Sequence, residues 1–235
     1  MNQRIADMKT AKNNSDKFIV QVATEADMTY AEELCGLYED SAKKRGTGIA
    51  KREPEYIEAK IHEGKAIIAF RKSDHTLAGF CYIETWEGKN YVANSGLIVK
   101  EEYRHHGLAR RIKKFAFDYT AKKYPNAKIF GITTSLAVMK INSDLGYKPV
   151  TFSELTQDNA FWSGCKSCVN YDVLTRTHRK ICLCTAMLYD PKEEKKKQFV
   201  TAKKVEKKIP AKLKVPKAQR IKSIRTAGKS KANKK

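Results

Sequence analysis

The sequence lacks any apolar run near the roughly 18 residues that a membrane-spanning helix requires, so it predicts no transmembrane segment. The opening stretch MNQRIADMKTAKNNSDKF has no apolar core segment, which argues against a secretory signal there. No internal repeat is visible, which excludes a repeat architecture. We therefore expect a cytoplasmic protein without a membrane partner. Its six cysteines are then expected to be reduced thiols or metal ligands rather than disulfides.

Acidic residues are scarce at the C-terminal end. Residues 191–235 hold 18 Lys and Arg but only 3 acidic residues, so they carry +15 of the formal net charge of +21. Phe199 is their only aromatic residue. This composition is typical of a disordered segment that attracts polyanions such as RNA, DNA or a ribosomal surface, although scarce aromatics argue against reading of bases. A solubilising extension without a specific role is an equal alternative.

The rest of the sequence contains enough apolar residues for one sizeable core, at 41% of the whole chain. Periodicity and turn residues predict the element order β-α-α-β-β-β-α-β-α-β-β, with YKPVTFSEL and KICLCTAMLY as late strands. This order indicates an α/β layered domain. We divide the chain into a flexible N-terminus (1–16), a domain (17–190) with a cysteine-containing insertion at about 160–184, and the Lys-rich tail (191–235).

The stretch EEYRHHGLARR joins a predicted strand, Tyr91 to Val99, to a predicted amphipathic helix. The first turn of a helix leaves main-chain N–H groups without partners and carries partial positive charge, which suits an anion such as a pyrophosphate. Gly107 allows a ligand to approach closely. Arg104 and Arg110 add positive potential. An ordinary helix start with a solvated basic face is the alternative for this short pattern taken alone.

The surrounding residues resemble the acyl-CoA-binding motif of the GNAT acetyltransferase superfamily. The strand GLIV, an acidic connector, the Tyr-Arg pair and the pattern R-x-x-G-x-A all match, and IFGITTSLAVMKINSDLGYKPV is similar to the superfamily's second motif. The resemblance implies a GNAT fold, a mixed and mostly antiparallel central sheet flanked by helices. It also implies an N-acetyltransferase that uses acetyl-CoA or a related acyl-CoA. The acyl-CoA contacts that it implies come from Ile98, Val99, Arg104, His105, His106, Gly107, Leu108, Ala109, Arg110 and Asn142.

Two catalytic positions of the superfamily are altered. Many members carry a glutamate on the strand before the helix, but YVANSGLIV has no acid. Many also carry a tyrosine as general acid in the second motif, where this sequence has Asn142. Glu84 is a candidate base acting through water and Tyr147 a candidate acid. A solvated strand residue and a core aromatic are the respective alternatives.

A narrower resemblance concerns the substrate. GTGIAKREPEYIEAKIHEGKAIIAF and ITTS are similar to segments of the acetyltransferase domain of N-acetylglutamate synthases. Arg52 matches an arginine of those enzymes and suits a carboxylate, while Thr134 and Ser135 match a second segment that here lacks its arginine. The resemblance implies a free amino acid such as glutamate as the acceptor. A protein or ribosome-associated acetyltransferase guided by the tail, and a non-catalytic nucleic-acid-associated module with a vestigial CoA fold, are the alternatives.

The last pattern is C-x2-C-x13-C-x-C, formed by Cys165, Cys168, Cys182 and Cys184. Four thiolates can form a tetrahedral structural zinc site. In a strand, Cys182 and Cys184 would point to the same face, as joint ligation requires. Free buried thiols are the alternative.

Overall fold

The computed structural model describes residues 17–46 and 50–195. The predictions for residues 1–16 and for residues 196–235 of the tail lie outside this part of the chain. Among the described residues, no helix is long and apolar enough to cross a membrane.

Seven strands of the described residues form one sheet in the order β1-β2-β3-β4-β5-β7-β6. Neighbouring strands are antiparallel except for β4 and β5, which are parallel. The predicted mixed, mostly antiparallel sheet is confirmed. The strands are β1 (Phe18–Val22), β2 (Ala66–Arg71), β3 (Leu77–Trp86), β4 (Tyr91–Val99), β5 (Lys128–Thr133), β6 (Lys148–Val150) and β7 (Thr185–Tyr189).

Helices cover both faces of this sheet. Side chains alternate along β2 and β3, so one face packs against α1 and α2 and the opposite face packs against α3. Along α3, Leu108, Ile112 and Ala116 recur every four residues and are all buried, as an amphipathic helix requires. The α-helices within residues 17–190 are α1 (Ala31–Arg45), α2 (Pro54–His62), α3 (Leu108–Lys123), α4 (Leu136–Asp144), α5 (Asn159–Ser163) and α6 (Tyr171–Arg176).

The two late strands are shorter than predicted. β6 ends at Val150 because Thr151 and Glu154 form a reciprocal capping box that starts a short 3-10 helix. β7 begins only at Thr185. Ahead of it, the main chain of Ile181 bonds to the Thr177 hydroxyl instead of to a neighbouring strand. The prediction that Cys182 and Cys184 lie in a strand is therefore wrong.

Candidate functional site

The site begins where β4 and β5 separate. They pair only from Tyr91 to Ala93 on β4 and from Lys128 to Phe130 on β5. Past this point β4 continues to Val99 with no pairing to β5, which leaves this edge of β4 without a strand partner. We call this edge, residues 94–99, the free edge.

A β-bulge lies on the free edge. The register between β3 and β4 shifts by one residue between Phe80 and Tyr82, opposite Gly96, whose φ is +64°. The Tyr38 hydroxyl donates a hydrogen bond to the Gly96 carbonyl, which holds the bulge from the α1 side. A bulge bends its strand, so this one contributes to the separation of β4 from β5.

We expect Gly96→Ala to destabilise the protein by about 2–4 kcal/mol, since a left-handed residue with a side chain costs about 1–2 kcal/mol and overpacking adds a similar amount. A Cβ there would lie 2.2 Å from Cε1 of Tyr82. Gly131→Ala is the matched control, because its Cβ would meet Asn94 O at an ordinary 3.6 Å. Denaturant unfolding measures both variants, and equal stabilities would contradict the role given to Gly96.

The gap between β4 and β5 opens into a cavity of about 470 Å³. Its walls come from β3, the free edge and β5, from Lys113 of α3, and from the segment around Arg52. The cysteine-containing insertion covers one side through Phe161, Gly164 and Cys165. A hydrogen bond of 3.1 Å from Lys51 N to Ser167 Oγ joins the insertion to the segment around Arg52.

The first turn of α3 follows the free edge. Gly107 precedes the helix with φ of +75°, and no side chain caps this end. Because the Arg111 N–H reaches back to Gly107 O at 3.2 Å, the N–H groups of residues 108–110 have no intrahelical acceptor. The first turn carries no acidic residue, and a Cβ at Gly107 would meet no atom within 4 Å. The start of α3 therefore offers N–H groups without intrahelical acceptors, partial positive charge and open space for a ligand.

The basic residues of the turn are held in place by neighbours. Arg104 Nε donates to Val99 O at 3.2 Å, and Arg110 forms an ion pair with Asp144 at the end of α4. His105 and His106 are exposed beside them. The structure therefore brings the predicted phosphate-binding residues together at one end of the free edge, where the side chains of Ile98 and Val99 are buried.

Residues 30–137 match the family model of the acetyltransferase (GNAT) family. These residues form a GNAT acetyltransferase domain. The superfamily prediction is confirmed. A comparison with curated proteins found no match to the sequence.

Solved structures share the fold of this GNAT domain. One is N-acetylglutamate synthase from Neisseria gonorrhoeae with coenzyme A and N-acetyl-glutamate (TM-score 0.53, 14% identity, 74% of this chain and 35% of that chain). A second is Rv2747 from Mycobacterium tuberculosis with CoA and NLQ (TM-score 0.53, 12% identity, 73% of this chain and 98% of that chain). A third is yncA from Salmonella typhimurium, a putative acetyltransferase, with acetyl-CoA (TM-score 0.50, 12% identity, 74% of this chain and 94% of that chain). At these identities the likeness shows the fold alone. The chain spans about a third of the synthase's length.

Arg52 lies at the other end of the cavity in the GNAT domain. Its Nε donates to Tyr82 Oη at 2.9 Å and its Nη1 donates to Ala50 O. The guanidinium stacks over the Tyr38 ring, 4.5 Å from the centroid. Within residues 17–46 and 50–195, no carboxylate forms an ion pair with it, which leaves its charge available to a ligand.

Glu84 projects into the same end of the cavity. Its Oε1 accepts a hydrogen bond from the Tyr56 hydroxyl and lies 4.0 Å from Lys60 Nζ. The Glu84 side chain is only 12% exposed, so the alternative of a solvated strand residue does not describe it. Burial, together with the nearby Tyr82 and Glu84, raises the pKa of Tyr56 and keeps this phenol protonated as a donor.

Tyr147 and Asn142 lie beneath the site. Tyr147 is 3% exposed, packs against Phe117 and Tyr189, and does not line the cavity. Burial raises the pKa of its phenol well above the usual value. Its assignment as general acid stays a prediction, and the packing agrees better with the core-aromatic alternative. Asn142 is 1% exposed, and its Oδ1 has no hydrogen-bond partner.

The two predicted residues of the second substrate segment occupy different places. Thr134 lines the cavity. Ser135 instead caps α4, where its hydroxyl accepts from Val138 N at 3.5 Å. Only Thr134 is therefore placed to face a ligand in the cavity, and both assignments stay predictions.

The four cysteines of the insertion approach one another without forming a metal site. Among the described residues, no group of three or more His, Cys, Asp or Glu side chains is placed to hold a metal ion, so zinc is not supported. Burial and neighbouring thiols raise the pKa of Cys165 to about 11 and that of Cys184 to about 12. Cys165, Cys168 and Cys184 line the cavity. As protonated thiols, Cys165 and Cys184 form part of its wall.

Lys113, which is 1% exposed and lines the cavity, was not among the residues predicted for the site. The sequence nevertheless contains a pattern that points to Lys113. Lys113, Ala116 and Thr120 stand at i, i+3 and i+7 on α3, and all three are buried. A lysine in an otherwise small and buried row indicates a charge directed into the protein.

Proposed function

We propose that the GNAT domain transfers an acyl group from acetyl-CoA, or a related acyl-CoA, to the amine of a substrate that carries a carboxylate. A free amino acid such as glutamate is our first choice. The observation that carries the proposal is the position of Arg52, a half-buried guanidinium in the wall of the cavity that Glu84 also lines. The cytoplasmic location expected from the sequence remains a prediction.

The acyl-CoA end of the proposal is supported by the helix start and by the free edge. The N–H groups of residues 108–110 suit the pyrophosphate. The main-chain groups of the free edge suit the amide-containing pantetheine arm, because both partners carry peptide-like donors and acceptors. Residues 94–99 extend over about 17 Å at 3.3 Å per residue, a length on the scale of that arm. The reacting thioester would then lie near Asn94.

The acceptor end rests on four side chains. Arg52 would hold the carboxylate, since a guanidinium offers paired donors to it. Glu84 would accept the proton that the amine loses, directly or through one water. Lys60 and the Tyr56 hydroxyl hold the Glu84 carboxylate in position. Because Glu84 is paired across the strands with Ala93, next to the point of separation, its carboxylate faces the place where the thioester would be attacked.

Holding both substrates in this geometry supplies much of the rate. Well-oriented reactants gain on the order of 7–11 kcal/mol at the upper end. Main-chain donors of the free edge can also stabilise the oxyanion of the tetrahedral intermediate.

Arg52→Met tests the acceptor site. A thiol-release assay with acetyl-CoA is run first on a panel of amines and then on L-glutamate and its α-amide. We expect the variant to raise KM for the carboxylate-bearing acceptor by about 10–150-fold, since a hydrogen bond to a charged group is worth about 1.5–3 kcal/mol, with kcat little changed.

The control is Arg71→Met, because Arg71 pairs with Asp74 on the surface. An Arg52→Met enzyme with the native KM would place the carboxylate elsewhere. If no amine in the panel releases thiol above the rate of hydrolysis, the enzymatic proposal itself fails.

The polyanion contact through residues 191–235 remains a separate proposal. A variant that ends at Asp190 should keep its activity on a free amino acid if the tail is accessory. Loss of activity only towards a protein or ribosome-bound amine would favour the alternative of an acetyltransferase guided by the tail. Electrophoretic mobility shift with RNA at two salt concentrations measures the contact directly.

A further inference from the structure

Lys113 is a charged residue of the site to which the proposed function gives no role. Its side chain extends from α3 into the apex of the gap between β4 and β5, where its Nζ donates to Asn94 O at 3.0 Å. Asn94 is the first residue past the last β4–β5 pair. Lys113 is thus a fully buried amine at the point where the free edge begins.

No carboxylate balances this amine. Within the part of the chain that the structure describes, Lys113 forms no ion pair, and its polar contacts are Asn94 O and, at 5.7 Å, the ring of Tyr147. Burying an unpaired charge is costly, so an unpaired buried lysine is a candidate for a functional role. Its one carbonyl partner leaves other N–H bonds of the ammonium available to a group in the cavity.

Three polar atoms around Lys113 also lack a hydrogen-bond partner among the described residues. Asn142 Oδ1, Asn94 Nδ2 and Tyr147 Oη are buried and have no hydrogen-bond partner among residues 17–46 and 50–195. A Cβ at Gly131 would lie 3.9 Å from Lys113 Nζ and 4.0 Å from Asn142 Nδ2. Buried polar groups are nearly always satisfied, so the unsatisfied Asn94 Nδ2, in the cavity wall beside Lys113, indicates that a polar ligand group belongs there.

The two faces of the sheet supply different groups to this point. Tyr82 and Glu84 project to the α1–α2 side, whereas Lys113 comes from α3 on the opposite side. The gap lets groups from both sides meet. If acyl-CoA lies along the free edge with its pyrophosphate at the start of α3, its sulfur lies at the apex, within reach of Lys113 and across from Glu84.

We propose that the Lys113 ammonium is the general acid of the reaction and protonates the departing sulfur of CoA. This inference rests on the proposed function and extends it. It fills the role left empty by Asn142, which has no proton to give. Lys113 would be a catalytic residue, since it touches the leaving group itself.

The step balances in atoms and charge. The acceptor nitrogen forms a bond to the thioester carbonyl carbon, and Glu84 takes one proton from that nitrogen. The carbon–sulfur bond then breaks, the sulfur keeps the electron pair, and Lys113 gives the sulfur a proton to release CoA as the thiol. Lys113 is left as a neutral amine and Glu84 as a carboxylic acid. Proton exchange with solvent restores both after the products leave.

The surroundings of Lys113 suit a proton donor. Burial lowers the pKa of Lys113, which makes its ammonium a stronger acid than an exposed lysine. The titratable groups that face it are Cys81 on β3 and Tyr147 after α4. Burial raises the pKa of both, so both are neutral and neither competes for the charge.

The bound CoA thiol reports on Lys113 without any acceptor. Thiolate absorbance in the ultraviolet is followed against pH for the CoA complex, with the S-methyl-CoA complex subtracted to remove the protein's own thiols. In the native protein we expect the pKa of the bound thiol to fall by about one unit or more relative to free CoA, because an ammonium lies beside it. In Lys113→Met the pKa should be at or above that of free CoA, since burial then acts alone.

Lys114→Met is the matched control, because the neighbouring Lys114 is exposed and pairs with Asp118. The thiol of CoA bound to Lys114→Met should have the same pKa as in the native complex. Lys113→Arg should keep the lowered thiol pKa but lose turnover, since a guanidinium retains its proton.

A bound thiol that titrates like free CoA in the native protein would overturn the inference, even if Lys113→Met does not fold. Equal thiol pKa values in the native protein and Lys113→Met would do the same. Calorimetry separates this failure from that of the proposed function. A native protein that binds no CoA overturns both, whereas CoA binding without a shifted thiol pKa removes only the role of Lys113.

Discussion

Gly107→Glu is expected to weaken binding of acetyl-CoA by at least about 100-fold. Gly107 stands at the start of α3 with open space around it, so a glutamate there would enter the place of the pyrophosphate. Two like charges about 4 Å apart repel by about 4 kcal/mol at the dielectric constant effective near a protein surface, and each 1.4 kcal/mol is a factor of ten in affinity. Isothermal titration calorimetry with acetyl-CoA measures the loss.

The control variant must also place a glutamate at a glycine with positive φ, so that both variants carry the same backbone strain. Gly88 also has positive φ, +61°, and no atom within 4 Å of a built Cβ, but it lies in the turn between β3 and β4. Gly88→Glu should bind acetyl-CoA as the native protein does. If Gly107→Glu binds equally well, the start of α3 is not the phosphate site.

Glu84→Gln is expected to lower kcat by about 10²–10⁴-fold, the usual contribution of a general base. The amide keeps the size of the side chain and can still accept the hydrogen bond from Tyr56, so the cavity should keep its shape. Acetyl-CoA affinity should remain native because the pyrophosphate site is untouched. Steady-state thiol release with the best acceptor of the panel gives kcat, and calorimetry gives the affinity.

Glu63→Gln serves as the control, since Glu63 pairs with Lys65 and does not line the cavity. Native turnover in Glu84→Gln would show that the amine loses its proton to another group or to water. Parallel losses of kcat and of acetyl-CoA binding would instead indicate a distorted site.

The predicted phosphate-binding turn was accessible from the sequence because it is local. The free edge, the bulged glycine region and the first turn of α3 follow one another within residues 94–110. Strand periodicity, helix periodicity and a glycine at the junction are read along a single stretch of chain. The same holds for the order of strands and helices over most of the domain.

The ends of the two late strands, β6 and β7, could not be predicted from the sequence. Main-chain groups near Ile181 found a side-chain partner in Thr177, and competition of this kind with a strand leaves little trace in hydrophobic patterning. The zinc prediction failed with the strand, because the shared face of Cys182 and Cys184 depended on extended backbone.

The sequence by itself determined the free edge and the helix start at which we propose that acyl-CoA binds, since these residues are adjacent along the chain. Only the tertiary structure decided the proposed acceptor end and the placement of Lys113. Arg52, Glu84 and Lys113 come from three separate elements on two faces of a sheet. The chemistry of their charges depends on burial and on neighbouring groups, and both result from contacts between distant parts of the chain.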